Sequence, residues 1–241
     1  MVRAMSRVVP ILALAALVAG VTTAEAKGKK KRKKDDRRPT KSTKANMPRG
    51  FVWPPSRKML AEGEACERQL DELGVTWKEA DRVGRVVSPM KLTDGEVGGI
   101  TLTPAYSKNQ TFDCQLVLAF ANFAPRLYEL GVREIKYGSA FRWSKVRVGG
   151  KTKNVLSRHA LGIALDIVSF VDDTGREAVV EKDYKRGDEL LLGIERAVND
   201  SGRFRVLLTP KNDPKSHHDH FHLEANPDYT EPSTREDKPA S

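Results

Sequence analysis

Histidine is scarce and confined, with five in 241 residues and all of them in two stretches. Cysteine is scarcer still: Cys66 and Cys114 stand alone, too few for a disulfide-dense scaffold, and neither has a partner at zinc-ligand spacing. No internal repeat is present, which excludes a solenoid or propeller. There is no glycine-rich phosphate loop and no Gly-x-Ser-x-Gly elbow, which removes the commonest nucleotide-binding and serine-hydrolase readings. The apolar run over residues 11–21 falls short of the ~20 residues that a spanning helix needs.

Charge is unevenly spread. Residues 27–44 hold eleven lysines and arginines against Asp35 and Asp36. With the single net charge of the leader they account for the whole formal +10, so residues 45–241 are neutral. Such a basic block cannot bury a core and reads as disordered. Ahead of it, Arg3 and Arg7, the short apolar run and Ala24-Glu25-Ala26 form a cleaved signal peptide over residues 1–26. The protein is then secreted or periplasmic. The basic linker, residues 27–47, would there meet anionic lipid or an acidic envelope polymer rather than nucleic acid. An uncleaved anchor and a solvated spacer are the plainer alternatives for these two segments.

Between the tails, residues 48–227 are enough for one domain with a proper core. Residues 48–55 read as an extended aromatic strap. Residues 61–73 have helical spacing ended by Gly74, and residues 86–103 read as short strands with turns. Residues 112–130 form the clearest helix, with Pro125 predicting a kink or early end. Cys66 and Cys114, both on expected helices, pair as a disulfide in an exported chain. A strand over residues 133–143 would place Arg142 at its end. The basic segment 144–154 reads as a loop walling a groove. A hairpin, with strands over residues 163–168 and 177–181 and a turn in 170–175, a helix over 187–201 with Asp188 in its first turn, and a strand over 204–208 follow. Residues 228–241 read as a disordered tail. Irregular interleaving with hairpin signals predicts a single α+β domain with a mainly antiparallel sheet flanked by helices.

The histidines carry the chemistry. His159 lies in Ser157-Arg158-His159-Ala160-Leu161-Gly162-Ile163-Ala164-Leu165-Asp166, and the other four lie in His217-His218-Asp219-His220-Phe221-His222. Seven residues between His159 and Asp166 are too many for one helical face and suit a turn folding back over a strand. Alternation in His220-Phe221-His222-Leu223-Glu224 puts His220, His222 and Glu224 on one face and Phe221 and Leu223 in the core. Two imidazoles and a carboxylate are a usual ligand set for a catalytic zinc. A histidine cluster alone can bind metal adventitiously, and His217 and His218 could be of that kind.

Ser157–Asp166 resembles the Ser-x-His-x-x-Gly-x-Ala-x-Asp signature of the D-Ala-D-Ala carboxypeptidase-like zinc peptidases, a superfamily that includes the Sonic hedgehog signalling domain. Asp219-His220-Phe221-His222 resembles its second signature. Within the superfamily the chain is similar to the extensin-like C-terminal domain family over roughly residues 48–227. The resemblance implies a zinc site on the sheet with His159, Asp166 and His222 as ligands, and Asp219 as general base with His217 as its rival. It further implies His220 on the scissile carbonyl or oxyanion, and Arg142 on the substrate carbonyl. Many members carry glutamate where Asp219 stands. A regular strand back to Asp219 would turn that carboxylate away from His220 and His222, so the base role requires the strand to begin at about His220.

The expected activity is a Zn2+-dependent peptidase cutting peptidoglycan stem peptides or cross-links, an endopeptidase rather than a carboxypeptidase, since no pocket for a terminal carboxylate is announced. A protein activator is left open. Two other classes fit the same motifs: a non-catalytic zinc domain binding peptidoglycan or a protein, and an envelope tether resting on residues 27–44.

Overall fold

The computed structural model describes residues 46–106 and 110–230. The signal peptide, the basic run through residue 44 and the tail from residue 231 lie outside them.

Ser56 opens α1 (Arg57–Glu72), its side chain accepting the Met59 N–H at 3.3 Å. Met59, Gly63, Cys66 and Leu70 recur at helical spacing and form the buried face. The helix starts earlier than residue 61 because its cap, not its apolar period, sets its beginning. β1 (Trp77–Glu79), β2 (Pro89–Leu92) and β5 (Phe112–Asp113) make a small three-stranded sheet.

Asp113 ends β5 and caps α2 (Cys114–Glu129), accepting the N–H groups of Gln115, Val87 and Ser88. Phe112 therefore belongs to a strand, not to the helix expected there. Pro125 does not end α2. One hydrogen bond is forfeited, but Phe120, Phe123, Ala124 and Leu127 keep the buried face continuous past it. The Cys66–Cys114 disulfide joins α1 to the start of α2. Closing a loop of 48 residues stabilises by about 4 kcal/mol in the chain-entropy model.

The main sheet has seven strands. β4 (Ile100–Pro104) and β6 (Val132–Ser139) are parallel, and α2 supplies the crossover that a parallel pair needs. The other pairs are antiparallel, so the sheet is mixed. β3 (Glu96–Val97) flanks β4, and β9 (Ala164–Asp172) flanks β6 on the other side. β12 (Phe221–Ala225) and β11 (Phe204–Leu208) complete the order β11-β12-β9-β6-β4-β3. β10 (Glu177–Val179) pairs with the far end of β9, and α3 (Val180–Asp183) takes over where the expected strand would have continued. α4 (Glu189–Ser201) is capped by Asp188, which thus precedes the first turn instead of lying in it. Phe204 meets Phe120 and Phe123 edge-on, with ring centroids 5.4 and 5.5 Å apart, locking β11 to α2.

Three further departures bear on the site. The basic loop is a hairpin, β7 (Lys145–Val148) and β8 (Lys151–Leu156). Gly149 and Gly150, at φ +56° and +79°, provide the two positive φ values of a tight hairpin turn. β6 stops at Ser139, leaving Arg142 in the loop beyond it. Residues 228–230 belong to the fold: Arg49 bridges to Asp228, and Tyr229 is buried beside Phe51 in the strap. Among the described residues no helix is long and apolar enough to cross a membrane.

Candidate metal centre

Local chemistry builds the turn that carries His159. Ser157 caps a 3-10 turn, Arg158–Leu161, by accepting the His159 N–H at 3.3 Å. Gly162 ends it at φ +70°, and a Cβ there would lie 2.8 Å from the Asp113 nitrogen. Only glycine meets both demands. The chain then enters β9, where Asp166 is placed directly opposite His222 of β12.

These three side chains are buried, and one ligand atom from each lies within 4.8 Å of the others. His159 Nε2 is 3.0 Å from Asp166 Oδ1 and 3.2 Å from His222 Nδ1, and His222 Nδ1 is 2.7 Å from the same Oδ1. The opposite ring nitrogens are committed elsewhere. His159 Nδ1–H donates to the Ala140 carbonyl at 2.7 Å. His222 Nε2–H donates to Glu224 Oε1 at 3.2 Å. Carbonyl and carboxylate only accept, so these are the protonated nitrogens. Three lone pairs then converge with no hydrogen between them, an arrangement that calls for a cation. Two imidazoles and a carboxylate, with their back sides held by a carbonyl and a second carboxylate, fit a divalent transition metal.

Without a metal, a proton fills that role. Burial opposes charge on His222, but its hydrogen bonds to Asp166 and Glu224 outweigh it and raise the pKa to about 9. Burial drives His159 the other way, keeping it neutral. Burial likewise opposes the Asp166 charge, yet the His159 and His222 rings hold that carboxyl well below the usual carboxylate range.

The remaining predicted residues surround this cluster. Arg142 places Nη2 3.0 Å from Asp166 Oδ2 and remains half exposed. His220 donates Nδ1–H to Asp219 Oδ1 at 2.7 Å. Its Nε2 is buried, has no hydrogen-bond partner among the described residues and lies 3.4 Å from Asp166 Oδ1. β12 begins at Phe221, so the backbone at Asp219 is free of the strand's alternation. Asp219 is partly exposed on the cavity wall, and although burial opposes it, His220 holds its pKa below the usual value. His217 packs its ring on His220 and His222 and hydrogen-bonds Asp213 at 3.1 Å. Burial and the neighbouring histidines lower its pKa to about 4. His218 stays exposed and is not drawn in.

Glu224 faces the cluster's back, not its centre. It accepts from His222 through one oxygen, and its other oxygen pairs with Arg205 and the buried Arg158. Arg158 also donates to the carbonyls of Asn46 and Ala225 at 3.0 and 2.8 Å. The Ala140 carbonyl had no side-chain signal in the sequence. Tyr106, on the cavity wall near Asp166 and Asp219, had none either. The Glu224 role was approachable from the period of two in β12 and from Arg158 beside His159.

The cluster lies in a cavity of about 890 Å³ walled by β7 on one side and the loop from Asn212 to His220 on the other. The profile of the family described as extensin-like protein C-terminus matches residues 64–231. No curated protein and no solved structure matches the chain.

Proposed function

The chain belongs to the extensin-like protein C-terminus family, and on that premise we propose that it is a zinc-dependent peptidase of peptidoglycan stem peptides or cross-links, an endopeptidase of the D-Ala-D-Ala carboxypeptidase-like superfamily acting outside the cytoplasm. The observation that carries the reading is the convergence of three donor atoms, His159 Nε2, Asp166 Oδ1 and His222 Nδ1, beneath an open cavity that Asp166 and His222 line. The disulfide agrees with an oxidising compartment.

His159, Asp166 and His222 would hold the zinc. When bound, zinc supplies a Lewis acid that polarises a carbonyl and acidifies water. The chain's own groups handle protons and orientation. His220 Nε2 is the acceptor atom facing the cluster, and Asp219 fixes its tautomer and balances the imidazolium formed when it takes a proton. The base role, expected of Asp219 with His217 as its rival, goes in this reading to the His220–Asp219 pair: His220 takes a proton from the attacking water and returns it to the leaving amine. Arg142, half exposed beside Asp166, offers N–H groups to a developing oxyanion. His217, neutral at pH 7, steadies the His220 ring from behind.

A binding domain that keeps zinc without cutting is the second reading. It is favoured by the Arg142–Asp166 pair, which occupies one face of the guanidinium. The test is digestion of purified cross-linked peptidoglycan with zinc-loaded protein from Lys27 onward, products resolved by mass. Loss of dimeric muropeptides with wild type, but not with His220→Ala or His159→Ala, supports the peptidase. Tight zinc binding with no loss of dimers supports the binding domain.

A further inference from the structure

The mouth of the cavity is cationic, although residues 45–241 as a whole are neutral. The hairpin β7–β8 and its flanks, residues 144–156, contain Lys145, Arg147, Lys151 and Lys153 and no acid. Across the mouth, residues 209–218 add Lys211 and Lys215 against Asp213, and Asp213 is engaged by His217. The two walls touch where Gly150 N–H donates to Ser216 Oγ at 3.2 Å. Lys145, Arg147 and Lys215 line the same cavity as the metal cluster. Lys145 rests on the neutral amide of Asn154 at 2.9 Å, and neither Arg147 nor Lys215 has an ion pair among the described residues. The acids of the lining are otherwise used: Asp166 by Arg142 and the rings, Glu224 by Arg158 and Arg205, Asp219 by His220.

Cations gathered on both walls of a groove, with the local acids already neutralised, recognise a ligand that brings its own negative charge. We propose that Arg147 and Lys215, with Lys145, form a subsite for free carboxylates carried along the substrate peptide, away from its C-terminus. This rests on the peptidase reading and names the substrate it selects: a stem with unamidated acidic residues in preference to its amidated form. Exposed cations on flexible stems suit this task because they pair with a carboxylate at more than one position.

The experiment compares two synthetic stem peptides, both blocked at the C-terminus, one with free internal carboxylates and one with those groups amidated. Wild type should favour the free form in kcat/KM by about tenfold, the size of one modest charge-assisted contact, with the preference shrinking as salt rises. Arg147→Gln/Lys215→Gln should reduce the ratio to about one, whereas Lys151→Gln/Lys153→Gln, outside the lining, should retain it. Zinc affinity, measured on each variant, shows that the site is intact. Equal rates on the two peptides with wild type, or an undiminished ratio in the Arg147/Lys215 variant, overturns the subsite. If neither peptide is cut, the peptidase reading fails alone, and calorimetric binding of the same peptides gives the ratio that decides the subsite.

Discussion

The floor and the rim of one cavity are built by opposite rules. On the floor, His159, Asp166 and His222 are 0–5% exposed, and both nitrogens of each ring have a named partner. At the rim, the β7–β8 hairpin meets the facing loop where the Gly150 backbone N–H donates to the Ser216 hydroxyl, and its cations stand in solvent. The difference teaches where each task resides. Groups that must converge to within a few tenths of an ångström sit on strands fixed by the core. The groups proposed to select substrate sit on a separate two-stranded hairpin, whose sequence can change without disturbing the main sheet.

Substitutions on the two sides should separate sharply. The largest effect belongs to His159→Ala, which removes one of the three donors. Metal affinity by competitive chelator titration should fall by more than the ~100-fold upper end that an outer partner costs, and a smaller fall would mean that another residue takes its place. Next, Gly162→Ala forces a side chain into a left-handed position against the Asp113 backbone. It should destabilise by about 3 kcal/mol, a Tm fall on the order of 10 °C by calorimetry. Glu224→Gln keeps an acceptor for His222 but leaves Arg158 and Arg205 without their carboxylate. Zinc affinity should drop roughly 10–100-fold, with the far-ultraviolet dichroism unchanged. At the rim, Ser216→Ala should shift stability by no more than about 0.5 kcal/mol; a larger loss would make the hairpin part of the rigid floor.

Acid gives the gentlest probe. Asp172, at the end of β9 away from the site, has its pKa lowered to about 2: the hydrogen bond from the Thr174 hydroxyl is the largest cause, burial opposes it, and the Arg176 N–H groups lower it further. A carboxyl depressed on folding contributes stability that is full above the unfolded value of 3.8 and is lost as pH falls through 2. Asp172→Asn should therefore flatten the stability curve between those pH values and leave metal affinity at neutral pH unaltered.

Much of the floor was legible in the chain because its determinants are local. Ser157, His159, Gly162 and Asp166 lie within ten residues, and each does a task that its residue type announces. The alternation from His220 to Glu224 likewise pointed to the strand that carries His222, which runs one residue later, from Phe221 to Ala225. What escaped reading is non-local or belongs to the backbone. The Ala140 carbonyl has no side chain to signal it. Glu224 was placed on the face of His220 and His222, but alternation assigns a face, not a partner; Arg158, 66 positions earlier, settles its direction by ion pairing from behind. The rim escaped for a different reason. Gly149 and Gly150, between Val148 and Lys151, read as part of a loop, and only the cross-strand pairing of β7 with β8 shows the hairpin. Tyr229 sits past the last obvious element, and its burial depends on the strap near Arg49, at the opposite end of the domain sequence.

The pairing of Asp166 with His222 has a consequence for how the chain reaches its native state. These residues are 56 positions apart yet adjacent across two strands. Sliding β12 by one residue would send His222 into the apolar interior and push Phe221 and Leu223 outward. The Asp166–His222 pairing on which the cluster depends exists in one alignment of the two strands and in no other. Metal captured during maturation would therefore act as a proofreader of strand alignment, holding the correct arrangement and leaving every slipped one without its reward.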